Sequence, residues 1–449
     1  MGEREAGLVG SVPLDTQLAP DPGPPDPPLA KRHGRLRSAV LKLSLLAVSG
    51  VLCLGVVEVV FRLLGYQPLY STYSKPELFW QRDPQLGWSL APNRVGRFVG
   101  PRPFPIQFRT TVRTNSLGLR GADPGPVPPG ARRVLVLGDS IAAGFEVEED
   151  QTYAALLGPA LAAAAPQAPP VQVVNAGVRG YGTDQEYQLY EQRLRPLLPD
   201  VVVLHMTVND PEDNTTLHRI RRPYGKGAFV LDRDGSLRPV GLPVPTYPRC
   251  SAYRVDTGFH VRRIDSARSR LFCFVESRLS DHSAFFTFLT SRIERNPTLL
   301  KRLYGLGSTG EETTPVPAHQ STSTVAPAPP PSATAGPGST SPAPASAAPA
   351  APTPAVDYTH VLTSALVVAL AKAVEADGAH LVVIGQLPDL VGLDLPALAG
   401  HGAAVIPLDG ALGPDPAAVR VRNDGHFNQV GHRRIADYLA ARLAPLVAR

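Results

Sequence analysis

The sequence predicts an α/β fold, a doubly wound parallel sheet of five strands. Three observations carry that reading. Short apolar runs recur at 133–137, 171–174, 201–205, 380–385 and, more weakly, 403–407. Helical patterns at 150–164, 181–197, 358–376 and 430–447 alternate with them. The runs are apolar on both faces, as strands covered by helices on both sides must be. Turn signals bound them: Gly138-Asp139-Ser140 closes the first, and Pro199-Asp200 opens the third.

At 449 residues the chain exceeds one ordinary domain, and composition says where the excess lies. Apolar residues at 43% are enough for a core and exclude wholesale disorder. Charged residues reach only 18%, the deficit being filled by alanine and 49 prolines. Cys53, Cys250 and Cys273 are too few for a disulfide scaffold or a four-thiolate zinc site, and no cofactor motif is present. The net charge of +5 is uneven, because residues 219–302 hold 17 Lys/Arg against 7 Asp/Glu. That segment suits an anionic partner, but charge alone does not make a nucleic-acid binder, and none is expected.

Residues 1–38 open with a proline- and acid-rich stretch without periodicity and read as a disordered cytoplasmic tail. Lys31, Arg32, His33, Arg35 and Arg37 follow, then a charge-free apolar run at 43–57. These 15 residues reach only about 22 Å against a bilayer core of about 30 Å. Extension to 40–64 supplies the length, with Lys42 snorkelling and Glu58 pairing with Arg62 four residues on, near the headgroups. The cationic cluster keeps the N-terminus cytoplasmic, and no small-residue cleavage site follows. Residues 39–65 are therefore expected to be a retained single transmembrane helix in the cell (inner) membrane, with the lipid bilayer as partner and all later residues extracytoplasmic.

Residues 66–131 are broken by turns at Asp83-Pro84, Pro92-Asn93 and Asn115-Ser116-Leu117-Gly118, and read as an extended, hairpin-like arm. The domain proper, 132–449, is interrupted twice between its third and fourth strands. Residues 211–305 form the basic insertion. Residues 306–356 are Ser, Thr, Pro, Ala and Gly, too poor in apolar mass to pack, and read as a disordered linker. Such a length is tolerable because loop-closure entropy grows only logarithmically. Outside the cytosol Cys250 and Cys273 are able to pair, closing a loop of 24 residues worth about 3 kcal/mol in the chain-entropy account.

Ligands of open parallel sheets bind beyond the C-terminal ends of the strands, and there the chemistry-bearing residues gather. Ser140 follows the first strand where a helix should begin, so free backbone N–H groups lie beside its hydroxyl. Gly180, in Asn175-Ala176-Gly177-Val178-Arg179-Gly180, follows the second strand and offers a backbone N–H. Asn209, before Asp210, follows the third and offers an amide. Each such donor is worth roughly 10²–10³ in turnover when aimed at a developing oxyanion. Asn423-Asp424-Gly425-His426 places an acid beside an imidazole ahead of the last helix, the base and orienting carboxylate a serine nucleophile requires. Singly, these are a turn, a turn glycine, an Asx turn and a surface pair. The glycines at 177, 180 and 182 lack the spacing and downstream acid of a dinucleotide loop. Four such signals at successive strand ends carry more than any one.

These motifs resemble the SGNH/GDSL hydrolase superfamily, particularly bacterial members with an N-terminal membrane anchor. Gly138-Asp139-Ser140 resembles the first block, Gly180 the second block's glycine, Asn209 the third block's asparagine, and Asp424 with His426 the fifth block. Arg113-Thr114-Asn115-Ser116-Leu117-Gly118-Leu119-Arg120 is similar to a segment of the anchored subgroup. The resemblance covers about 40–215 and 357–449 and implies a flavodoxin-like sheet of the SGNH-hydrolase type. It implies catalysis by Ser140, His426 and Asp424, with Ser140, Gly180 and Asn209 as oxyanion hole and no metal. One position departs from the family, which usually spaces its acid three residues before the histidine; Asn423 stands there, and Asp424 is one residue nearer. The activity implied is that of an esterase acting on an O-acyl or O-acetyl group of an envelope glycan or a lipid ester. The same residues serve an O-acyltransferase, and an inactive envelope assembly or binding protein is a third reading. The basic insertion is a lid, a surface for an anionic polymer, or a solvated face.

Overall fold

The computed structural model describes residues 29–66, 68, 79–101, 104–220, 222–256, 260–294 and 357–448. The linker reading at 306–356 and the tail reading at 1–28 lie outside the described residues. The chain divides into a unit ending at Val59 and a unit running from Val60 onward.

Helix α1 (Leu29–Leu63) begins before the expected start at 39, so residues 29–38 are helical rather than tail. Lys31, Arg32, Arg35 and Arg37 are good helix formers, and a nucleated apolar helix propagates through them. The part Arg37–Leu63 is 27 residues long, about 40 Å, and apolar enough to cross a membrane. Its Leu41, Leu46 and Val51 are about 70% exposed, as a helix packed against no protein would show. Tyr358–Ala376 passes the same length and composition test, but it buries Leu366, Val367, Leu370 and Val374 in the second unit's core.

Two antiparallel hairpins follow, β1 (Trp80–Asp83) with β2 (Gly87–Leu90) and β3 (Val95–Gly100) with β4 (Phe108–Arg113). The main sheet is built from β5 (Arg132–Gly138), β6 (Val171–Asn175) and β7 (Val201–His205), then β13 (His380–Gly385) and β14 (Ala404–Pro407). All five are parallel, in the order β14-β13-β7-β5-β6. Period-two alternation divides each strand between two cores. Val134, Val136, Val201 and Val203 join Leu157 of α3 (Tyr153–Ala164) and Leu439 of α9 (Gln429–Val447). Leu135, Leu137, Val202 and Leu204 join Leu189 of α4 (Thr183–Leu189) and Leu370 of α8 (Tyr358–Ala376). Phe79, Leu86, Leu90, Val112 and Leu119 are buried in this second core, so the arm is part of the domain and not an appendage to it. The helix expected over 181–197 is regular only through α4. It then widens into a π turn, Tyr190–Leu194, and tightens to 3₁₀ where Pro196 lacks an N–H.

The basic insertion is folded. β8 (Thr216–His218), β11 (Tyr253–Val255) and β12 (Val261–Arg263) form a three-stranded antiparallel sheet. β9 (Ala228–Leu231) and β10 (Leu237–Val240) form a hairpin, and α6 (Ala267–Ser280) turns into α7 (Ala284–Glu294). Phe229 packs on Leu362 and Leu366 of α8, so the insertion rests on the sheet domain. Cys250 and Cys273 are joined, their Cα atoms 5.7 Å apart, tying α6 to the loop before β11.

Candidate active site

The support of Ser140 begins in the arm. Asn115 Oδ1 accepts from the backbone N–H groups of Leu117 and Leu119, folding the turn that leads into Arg120. Arg120 is buried, and its guanidinium donates to the carbonyls of Ala143 at 2.6 Å, Val147 at 2.7 Å and Gly144. These carbonyls end α2 (Ser140–Ala143) and the loop after it. Burial depresses the guanidinium to about 10, against the charges of Glu146, Glu149 and Glu148, and it stays cationic. Arg120→Met is expected to take the donor from the Ala143 and Val147 carbonyls, Gly144 O keeping the Val147 N–H at 3.2 Å, and to destabilise the domain by about 3–5 kcal/mol, read as a lowered denaturant midpoint with an unchanged slope.

Ser140 opens α2 directly beyond β5. Asp139 caps the helix, its Oδ1 accepting from Ile141 N–H at 2.8 Å. Gly138 has φ +151°, and a Cβ there would lie 2.7 Å from that of Ala142, so the strand-to-helix turn excludes any side chain. Gly180 sits at φ +80°, where its lack of a Cβ permits the turn after β6. The turn is braced by Asn175, which donates to Ala142 O at 3.0 Å and accepts from Gly177 N–H at 3.0 Å. Asn209 precedes α5 (Asp210–Thr215), donating from Nδ2 to Asp213 Oδ2 at 2.6 Å and accepting at Oδ1 from Thr207 at 2.9 Å. One amide hydrogen is committed to Asp213, which leaves the second for a ligand.

At the other wall, His426 Nδ1 bonds to Asp424 Oδ1, and the same oxygen accepts from His426 N–H at 3.0 Å. Burial pushes the Asp424 carboxyl up, but the hydrogen bonds and charge of His426 outweigh it and hold the group below the usual range. Asn423 is exposed at φ +60°, a left-handed turn position that asparagine tolerates. The carboxylate on the imidazole is thus Asp424, two residues before the histidine.

Two residues that sequence reasoning did not single out complete the cluster. Glu146, buried, lies with Oε1 3.5 Å from His426 Nδ1 and 2.6 Å from Arg179 Nη1. Arg179 lies over the rings of Phe98 and Phe145 and brings Nη2 to 3.4 Å from His426 Nε2. Glu146, Asp424 and His426 place ligand-type atoms within 4.8 Å of one another, and Arg179 supplies positive charge beside them. Arg179 precedes Gly180 within the turn already noted, and that adjacency was the one available signal. Glu146 had none. Ser140 Oγ has its near polar neighbour in Asp139 Oδ2 at 3.5 Å, while the nitrogen of His426 facing away from Asp424 points at Arg179.

Ser140, Gly180, Asn209, Asp424 and His426 nonetheless line one cleft of about 580 Å³. Trp80, Trp88, Phe98 and Phe108 from the arm form its aromatic wall, and Arg179, Arg219 and Lys226 bring cations. Arg219 is engaged with Asp213, and Lys226 makes a buried pair with Asp184. Burial raises the carboxyl of Asp139 against the positive charges of His426 and Arg179, and raises those of Asp210 and Glu186 further, where the neighbouring carboxylates add to the shift.

A serine at the end of a parallel strand, facing an acid-bound imidazole across an open cleft, is the architecture of a hydrolase of ester bonds. Residues 136–255 match the model of the GDSL-like lipase/acylhydrolase family, in agreement with the resemblance of the sequence motifs to SGNH/GDSL hydrolases. The matched segment contains Ser140, Gly180 and Asn209. No curated protein matches the sequence significantly. Among solved structures, TesA aligns at 13% identity over 70% of this chain and 99% of its own, with a TM-score of 0.32. LAE5, an α/β hydrolase from the metagenome of Lake Arreo, Spain, aligns at 12% over 73% and 99%, with a TM-score of 0.31. A catalytic mutant of Axe2, an acetylxylan esterase from Geobacillus stearothermophilus, aligns at 24% over 18% and 41%, with a TM-score of 0.15. Likenesses this distant carry no argument about substrate.

Proposed function

We propose that the chain is a membrane-anchored, extracytoplasmic serine esterase that removes an O-acyl group, such as acetyl, from an envelope glycan or lipid. The observation that carries this reading is the convergence, in one cleft, of Ser140, Gly180 and Asn209 with an Asp424–His426 pair drawn from the far end of the sequence. His426 Nε2 takes the Ser140 proton as the hydroxyl attacks the ester carbonyl. The Ser140 and Gly180 N–H groups and the Asn209 amide stabilise the oxyanion. His426, its Nδ1–H held by Asp424, then protonates the leaving alcohol, and water resolves the acyl-enzyme. Productive geometry requires Nε2 to exchange Arg179 for Ser140, a tightening that substrate binding commonly brings. Aromatic walls suit the apolar face of a sugar ring or an acyl chain.

The anchor is supported by the length and exposure of Arg37–Leu63 and by the cationic residues ahead of it. The Cys250–Cys273 bridge supports an oxidising compartment. A reporter active only outside the cytosol is expected to work when fused after Arg449 and to fail when fused before Lys31. The reverse pattern, or a full-length chain free in the cytosol, overturns this topology. For the chemistry, the full chain in detergent is expected to react with a fluorophosphonate probe at Ser140 and to release acetate from an O-acetylated glycan. Labelling elsewhere, or none, counts against the esterase reading.

A further inference from the structure

The helical hairpin of α6 and α7 has its polarity reversed. Ser269, Cys273, Glu276, Ser277 and Ser280 form the buried face of α6, and α7 buries Ala284, Thr287 and Thr290. Thr287 Oγ1 donates to Ser280 O at 2.7 Å, and the hydroxyls of Ser280 and Thr290 are 3.5 Å apart. The outward face of α6, at helical spacing, is instead Leu271, Phe274, Val275 and Leu279, which are 66%, 55%, 48% and 40% exposed. A helix facing water carries its polar residues outside. Small and hydroxyl-bearing residues between helices with apolar residues outside are the pattern of helices in contact with lipid.

Length and charge narrow the placement. The two helices have 14 and 11 residues, about 21 and 16 Å, so neither spans a bilayer core of about 30 Å. Such helices lie in the interfacial plane. Arg278 lies over the Phe274 ring at 5.2 Å and Arg292 over Phe288 at 5.0 Å, so apolar and cationic groups alternate along the surface, as anionic headgroups over acyl chains require. The second unit also includes the last residues of α1. Phe61 lies 5.3 Å from Phe285 and 5.1 Å from Phe288, Tyr66 lies 5.1 Å from Phe288, and Arg62 Nη2 donates to His282 O at 2.8 Å. These are the residues at which the anchor, as read above, leaves the bilayer. The hairpin is therefore fixed to the chain at headgroup level.

We propose that α6 and α7 form a lipid-binding element, lying in the outer leaflet of the membrane that holds α1 and taking phospholipid with an anionic component as its partner. This rests on the anchor reading. The Cys250–Cys273 bridge then links the membrane-bound helix to the insertion beside the cleft.

The test uses the full chain, with Cys53→Ser removing the one free thiol among the described residues, reconstituted in phosphatidylcholine–phosphatidylglycerol vesicles. An environment-sensitive fluorophore is attached at Phe274→Cys and, for comparison, at exposed Ala417→Cys on the sheet domain. Non-reducing electrophoresis checks that the Cys250–Cys273 bridge is intact in both. At position 274 the emission is expected to shift to the blue and to lose most of its intensity when lipids doxyl-labelled near the headgroup are included; at 417 it is expected to do neither. A fluorophore at 274 that stays water-exposed, in a chain that alkaline washing leaves in the vesicles, overturns the hairpin proposal while the anchor stands. A blue-shifted fluorophore insensitive to doxyl lipid means that protein covers the stripe, and also overturns it. Release of the chain by alkaline washing overturns the anchor, and this proposal with it.

Discussion

Ser140→Ala is expected to abolish turnover on a soluble aryl ester, by about 10⁴–10⁶-fold, with the fold unchanged. The large figure follows from the role: without the hydroxyl no acyl-enzyme forms, and the oxyanion donors alone retain a small residue of catalysis over water. The unchanged fold follows from the geometry. The cap of α2 is the Asp139 carboxylate, not Ser140, and the half-buried Oγ has only a 3.5 Å approach to Asp139 to lose. Single-turnover kinetics with a thermal melt on the same preparation make the comparison. An alanine variant that melts normally and still hydrolyses the ester at a comparable rate would remove Ser140 from the mechanism.

Asp424→Asn is expected to cost up to about 10⁴-fold in turnover, because an amide presents the wrong partner to His426 Nδ1 and cannot stabilise the imidazolium. Asn423→Gly, which keeps the left-handed turn, is expected to leave turnover within a few-fold. The size of the first effect depends on Glu146. Its Oε1 at 3.5 Å from the same nitrogen is a second carboxylate able to hold the tautomer, so adding Glu146→Gln to Asp424→Asn is expected to deepen the loss. A near-normal Asp424→Asn beside a dead Asn423→Gly would reverse the assignment.

The parallel sheet was legible because its strands are apolar on both faces, and only burial on both sides permits that. The expected runs at 201–205 and 380–385 coincide with β7 and β13, and 358–376 with α8. The strand-end residues were legible as a group, since Ser140, Gly180, Asn209, Asp424 and His426, far apart in sequence, line one cleft. What was not legible depends on tertiary contact. The arm reads as isolated hairpins, since Phe79, Leu86 and Val112 carry no sign of the core they enter. Glu146 and Arg179 find each other and His426 only in the folded chain. The insertion's strands are three or four residues long and give too short a pattern to register. The reversed polarity of α6 was open to view in the spacing of Leu271, Phe274, Val275 and Leu279, but only burial shows which face is turned inward.

The chain order of the sheet also bears on how the protein is made. β5, β6 and β7 emerge early, with Ser140, but β13 pairs along β7 only after the whole insertion has followed. Until then the free edge of β7 is an unpaired template flanked by apolar side chains, and such edges recruit other chains. His426 arrives later still. A chain made from its N-terminus therefore carries Ser140 without His426 until the C-terminal strands and α9 have packed against β7. On the esterase reading proposed above, timing of this kind would keep the site silent until the last segment of the chain is in place.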